Sequence, residues 1–103
     1  MLHREREIAT NLIRSALAKG LEISVHDGIY GEGECVITRS KDLETILNAL
    51  DTTEGDTIYL MHPSKRECLG VIYLIWGNDN DLIHDHSEHL EIDEDGCIPS
   101  SNP

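Results

Sequence analysis

Residues 57–76, TIYLMHPSKRECLGVIYLIW, contain two β-prone runs separated by a polar turn. The first run, 57–61, is rich in β-branched and aromatic residues, and Pro63 ends it because proline has no backbone N–H to donate to a sheet. The second run, 68–76, is the most apolar stretch of the chain, which is typical of a strand covered on at least one face. Together the two runs predict an antiparallel hairpin.

The residues upstream predict two helices and another hairpin. Residues 2–19 carry apolar side chains at helical spacing and end at Gly20, a common helix terminator. Residues 21–26 and 34–39 favour strands joined by a glycine-rich loop. Ser40 is a suitable N-cap for a second helix. The predicted fold is a two-layer α+β domain of order α-β-β-α-β-β, with a four-stranded antiparallel sheet and two helices.

The end of the chain is polar and its pattern is weaker. Residues 82–92 are ambiguous, although a short strand fits part of them. Residues 94–103 have no periodicity, so we expect a flexible acidic tail after a single α+β domain of residues 1–93. Cys35 and Cys68 lie in apolar runs and are expected to be buried.

The aromatic side chains are few, and the chain has no Phe. We therefore expect Tyr59, Tyr73 and Trp76 to fill much of the core. Tyr30 differs from them, because a ring in a glycine-rich loop is poorly placed for the core. It is a candidate apolar contact with a partner.

Charge is distributed unevenly along the 103 residues. There are 20 Asp and Glu against 8 Lys and Arg, a formal charge of −12, and no Lys or Arg follows Arg66. Such a chain repels nucleic acid phosphates and anionic membranes, so we expect neither as a direct partner. The negative charge favours a protein with a basic surface as the partner. No apolar run is long enough for a membrane span and no signal-peptide pattern is visible, so we expect a cytoplasmic protein.

Acidic side chains near the end of the chain can imitate a row of phosphates and occupy a nucleic-acid groove on another protein. Complementary charge would make that association fast and sensitive to salt. The simpler interpretation is a solvated surface that serves solubility. The predicted partner-binding residues are Asp79, Asp81, Asp85, Glu88, Glu91, Asp93, Glu94 and Tyr30.

A histidine cluster provides the alternative site. His84, His86 and His89 carry imidazoles, which are good zinc ligands, and the first two share one side of a strand. The alternative function is therefore a metal-binding accessory protein, against the simpler interpretation of a polar, exposed segment.

Catalysis has a weaker signal. Cys35 and His26 can be drawn together across the first hairpin, but the simpler interpretation is a core cysteine beside a surface histidine. No phosphate loop or nucleophile elbow is visible. We expect a non-enzymatic protein without a cofactor.

A resemblance to known proteins is carried by residues 16–27 (ALAKGLEISVHD), 38–40 (TRS), 43–50 (LETILNAL), 56–57 (DT) and 73–79 (YLIWGND). Over residues 8–85 the chain resembles a group of small bacteriophage and prophage proteins with no established activity. The resemblance implies a phage accessory protein in a bacterial cytosol, and it transfers no catalytic residue.

The phage setting favours an inhibitor or modulator of a host protein that handles nucleic acid or acts in defence. A virion structural or assembly protein is a further alternative. An edge strand can also pair two copies of the chain into a homodimer.

Overall fold

The computed structural model describes residues 2–28, 33–77 and 81–99. It confirms the α+β class, the two helices and the antiparallel pairing. The predicted number and order of strands are wrong, because residues after β4 add a fifth strand at one edge, in the sheet order β2-β1-β3-β4-β5. The elements are α1 (His3–Ala18), β1 (Glu22–Asp27), β2 (Cys35–Ser40), α2 (Leu43–Ala49), β3 (Gly55–Met61), β4 (Cys68–Ile75) and β5 (Ile83–His86).

The start of each helix has a carboxylate that accepts a backbone hydrogen bond, in the first turn of α1 and at the N-cap of α2. In α1, Glu5 accepts from the N–H of Leu2 at 3.0 Å, as in a capping box. In α2 the N-cap is Asp42, which accepts from the N–H of Thr45 at 3.0 Å. The prediction of Ser40 as the N-cap is wrong, because its hydroxyl instead accepts from the N–H of Asp42 at 3.2 Å. The bonds from Thr45 lower the pKa of Asp42.

The core lies between the helices and one face of the sheet. On that face, alternate side chains of β1, β3 and β4 are at most 1 % exposed. Burying one such aliphatic side chain stabilises the fold by roughly 1.5–3 kcal/mol. The sheet residues concerned are Ile23, Val25, Ile58, Leu60, Ile72 and Leu74.

Two of the three rings expected in the core lie on the opposite face of the sheet. Tyr59 pairs with Ser24, and Tyr73 pairs with Thr57, which places both rings away from the helices and leaves them part-exposed. The ring of His26 packs edge-on against Tyr59, with centroids 4.9 Å apart. The core is therefore aliphatic. Among the described residues, the one aromatic ring that packs against it is that of Trp76, which is partly buried.

The expected burial of two cysteines is also wrong. Cys35 lies on the edge strand β2 and Cys68 at the start of β4, and both are exposed. The Cys35 thiol lies 3.2 Å from the Thr38 hydroxyl. The third cysteine, Cys97, is half-buried, and its burial raises the pKa of its thiol.

The segment after β5 packs back across α1. Ile98 is buried in the core, and its N–H donates to the Ser15 hydroxyl at 2.9 Å. Gly96 has a φ of +89°, and a Cβ there would lie 2.5 Å from the carbonyl oxygen of Ile8. Residues 94–99 thus contact the helix, while 100–103 lie outside the described residues and their flexibility stays a prediction. Neither described helix has the length and apolar character of a membrane span.

Candidate functional site

The predicted acidic residues within the described chain lie on β5 and in the segments just before and after it. β5 is the last strand in the sheet order, and it is only four residues long. Charged side chains on a short edge strand disfavour pairing with another strand, so this edge offers a partner side chains rather than backbone. We name as the acidic edge the exposed residues Asp81, Asp85, Glu88, Glu91, Asp93 and Glu94. Asp79 and Tyr30 lie outside the described residues.

Half of the acidic edge borders one groove between β5 and residues 92–94. The groove has a volume of about 300 Å³. Asp85, Asp93 and Glu94 meet there because the chain turns back after β5 and returns toward α1. The lining, which we name the edge groove, consists of Ile8, Ile83, His84, Asp85, His86, Ile92, Asp93 and Glu94.

Asp93 has a structural task within this edge. Its Oδ1 accepts hydrogen bonds from the N–H groups of Asp95, at 3.0 Å, and Cys97, at 2.9 Å. Its carbonyl accepts from the N–H of Gly96 at 3.0 Å. Replacing Asp93 would therefore disturb the turn as well as the charge, so it is a poor position at which to test binding.

The remaining members of the acidic edge differ in their surroundings. Asp85 Oδ1 accepts from the N–H of His86 at 2.9 Å, which orients it on β5. Glu91 borders a separate, more apolar pocket together with Leu69 and Leu90. The side chains of Glu91 and Glu94 are exposed, which makes these two positions suitable for charge reversal.

The three histidines of the predicted metal site do not converge. His84 and His86 line the edge groove, whereas His89 Nε2 lies 2.6 Å from the carbonyl oxygen of Leu69, outside that groove. Within residues 2–28, 33–77 and 81–99, no three His, Cys, Asp or Glu side chains are grouped so as to hold a metal ion. The alternative of a zinc site therefore receives no support from the arrangement of these residues.

One arginine reaches the segment after β5. The Arg4 guanidinium lies 2.9 Å from Asp95 and also pairs with Glu7, an arrangement that ties α1 to the turn at residues 93–97. The bond to Asp95 raises the pKa of Arg4. Exposed ion pairs of this kind contribute little stability, and this one engages a carboxylate outside the acidic edge. The edge therefore keeps its negative charge.

A second cleft, which no sequence motif indicates, lies beside the only tryptophan of the chain. We name it the Trp76 cleft; it has a volume of about 530 Å³. Glu5 in its wall stands one helical turn before Ile8 of the edge groove, so the two sites adjoin along α1. Its lining residues are Leu2, Glu5, Asp51, Thr53, Glu54, Trp76 and Gly77.

A fully buried carboxylate, Asp56, lies behind this cleft. Its Oδ2 accepts from the indole N–H of Trp76 at 2.7 Å and from the N–H of Asp51 at 2.9 Å. Its Oδ1 is buried and has no hydrogen-bond partner among the described residues. Burial raises the pKa of Asp56 to about 6, although the two bonds oppose that shift. The spacing between Asp56 and Trp76 gave no sign of this pairing, because adjacent strands bring them together.

The thiol and imidazole considered for catalysis are neighbours but not partners. Cys35 pairs in register with His26 across β1 and β2. The thiol, however, contacts the Ile37 carbonyl and the Thr38 hydroxyl, and the imidazole packs against Tyr59. These contacts give the thiol no activating base.

Comparisons of the chain with protein-family models, with curated proteins and with solved structures found no match.

Proposed function

We propose that this chain is a non-enzymatic binding protein of phage origin that acts in a bacterial cytosol. Its acidic edge would occupy a basic surface on a host protein that handles nucleic acid or acts in defence. The phage origin rests on the sequence resemblance, and the binding mode rests on charge and geometry.

One observation carries the proposal. Six exposed carboxylates lie between Asp81, just before β5, and Glu94 in the segment after it, and no Lys or Arg is present between Glu67 and Pro99. Complementary charge of this density speeds encounter with a basic partner and repels nucleic acid itself. The chain turn that brings Asp85 close to Glu94 gives the charge a defined shape, which a purely solubilising surface does not require.

Affinity capture from a bacterial lysate tests the proposal. Immobilised protein should retain a partner with a basic surface at low salt and release it at high salt, because exposed charges are screened. If the partner binds nucleic acid, an excess of duplex DNA should release it as well, since both would compete for one groove. Retention that survives high salt and excess DNA would contradict an electrostatic, phosphate-like mode of binding.

A further inference from the structure

We propose that the Trp76 cleft binds the guanidinium group of an arginine side chain supplied by the basic partner. The inference rests on the proposed function for the chemistry of that partner. It adds a second contact, adjoining the acidic edge, with a different recognition chemistry.

The aromatic wall of the cleft is held in place. The indole N–H of Trp76 donates to Asp56 at 2.7 Å, and its backbone N–H donates to the Glu54 carbonyl at 3.0 Å. The ring is half-buried, so part of it faces the cleft. A planar guanidinium stacks well on a tryptophan face, and a fixed ring reduces the ordering cost of that contact.

The polar wall of the cleft is acidic. Glu5, Asp51 and Glu54 line it, and none of its lining residues is Lys, Arg or His. Glu5 is fully buried, with Oε1 accepting from the N–H of Leu2 at 3.0 Å and Oε2 from the N–H of Gly77 at 2.6 Å. These two bonds hold Glu5 in place, and carboxylates beside an aromatic face match the planar donors of an arginine better than they match a lysine ammonium.

The buried Asp56 adds a further carboxylate directly behind the cleft wall. Its carboxylate is 0 % exposed, its Oδ1 lacks a hydrogen-bond partner among the described residues, and its Oδ2 is bonded to two groups of the cleft wall. A buried carboxylate is costly unless it is paired or protonated. A guanidinium in the cleft would stabilise the ionised form of Asp56 through space, because the two groups bonded to its Oδ2 belong to Asp51 and Trp76, which line the cleft.

Protonation of Asp56 should therefore compete with the cation. The titratable groups facing it are Asp27 on β1 and Asp51 after α2, and both favour protonation of Asp56. On β4 it faces the non-titrating indole of Trp76. Arginine should bind more tightly at pH 7.5 than at pH 5, because Asp56 is ionised only in the upper part of that range.

The intrinsic fluorescence of Trp76 offers a direct assay, because the chain has one tryptophan. The probe is N-acetyl-arginine amide, and the matched neutral probe is N-acetyl-citrulline amide at the same ionic strength. Arginine amide should give a saturable change at pH 7.5 that the citrulline analogue does not give. An equal response to both probes would overturn the proposal.

Variants locate the response. Glu54→Gln removes an exposed carboxylate of the cleft and should weaken arginine binding about threefold. The control Glu44→Gln removes an exposed carboxylate of α2 and should leave binding unchanged. Asp56→Asn should weaken binding at pH 7.5 and abolish most of its pH dependence. Equal binding by the Glu54 and Glu44 variants would contradict the assignment.

The fluorescence assay and the lysate capture can fail separately. If a basic partner is captured but arginine amide leaves Trp76 fluorescence unchanged, the cleft proposal is wrong and the acidic-edge proposal stands. If arginine amide binds as expected but no partner is captured, the cleft is a cation site and the proposed host-binding function fails.

Discussion

The replacement Asp56→Asn should change how the stability of this protein depends on pH. Asp56 is fully buried, and its Oδ2 accepts two hydrogen bonds that an Asn amide oxygen can also accept. The amide nitrogen would take the place of Oδ1, which has no partner among the described residues. The neutral carboxyl and the amide are therefore close analogues, and the main difference between them is the charge that only Asp56 can carry.

The magnitude follows from the pKa of Asp56, which burial raises from 3.8 to about 6. A carboxyl whose pKa is raised in the folded state binds more protons there than in the unfolded chain, so its contribution to stability is lost as pH rises. The complete loss amounts to about 3 kcal/mol, because one pKa unit corresponds to about 1.4 kcal/mol. About 1 kcal/mol is already lost at pH 4.5, which leaves about 2 kcal/mol between pH 4.5 and 7.5.

Urea denaturation followed by circular dichroism at these two pH values provides the assay. The free energy of unfolding of Asp56→Asn, relative to the original protein, should rise by about 2 kcal/mol from pH 4.5 to 7.5. Glu88→Gln removes one exposed charge and serves as the control, with little change in its relative stability. If the relative stability of Asp56→Asn is equal at both pH values, the pKa of Asp56 is not raised in the folded protein.

Two further predictions concern the turn on α1 and the exposed thiols. In urea denaturation, Gly96→Ala should destabilise the protein by about 2 kcal/mol more than Gly20→Ala. Both glycines have a positive φ, but only at Gly96 would a Cβ meet the Ile8 backbone. Equal losses of stability would argue against that contact. In the native protein, a thiol reagent should label the exposed Cys35 and Cys68 rapidly and the half-buried Cys97 slowly. Rapid labelling of only one cysteine would contradict the exposure of Cys35 and Cys68.

The regular elements could be predicted because their patterns are local. The apolar spacing of α1, the glycine that ends it and the two β-prone hairpins all lie within short windows of sequence. The face of the sheet that packs against the helices was harder to predict. In β3 both alternating sets carry large apolar side chains, Ile58 with Leu60 and Tyr59 with Met61, so periodicity could not tell which set faces the helices. Register with β1 decides it, because Ile58 pairs with the buried Val25.

The end of the chain could not be predicted because its contacts are distant in sequence. Leu90, Ile92 and Ile98 are isolated apolar residues without a helical or strand period, yet they pack against the core of the domain. The short strand β5 carries a polar sequence, which an edge strand tolerates because one of its sides is open to solvent.

The candidate site could be predicted from the sequence only in part, for the same reason. The exposure of the acidic residues followed from their charge, and the structure places six of the seven predicted carboxylates on one edge; the seventh, Asp79, lies outside the described residues. The turn-forming role of Asp93 depends on backbone donors that follow it and gave no pattern. The burial of Asp56 depends on Trp76 across an adjacent strand, which no local motif indicates.

Binding of a basic partner by the acidic edge is tested most directly by comparing two charge-reversed proteins in the lysate capture. Glu91→Lys with Glu94→Lys changes the acidic edge, while Glu34→Lys with Glu44→Lys applies the same charge change near the opposite sheet edge, β2. Circular dichroism should show that both variants remain folded. The first variant should lose the salt-sensitive partner, and the second should retain it. Equal loss would show that net charge rather than the acidic edge determines binding, and equal retention would show that neither does.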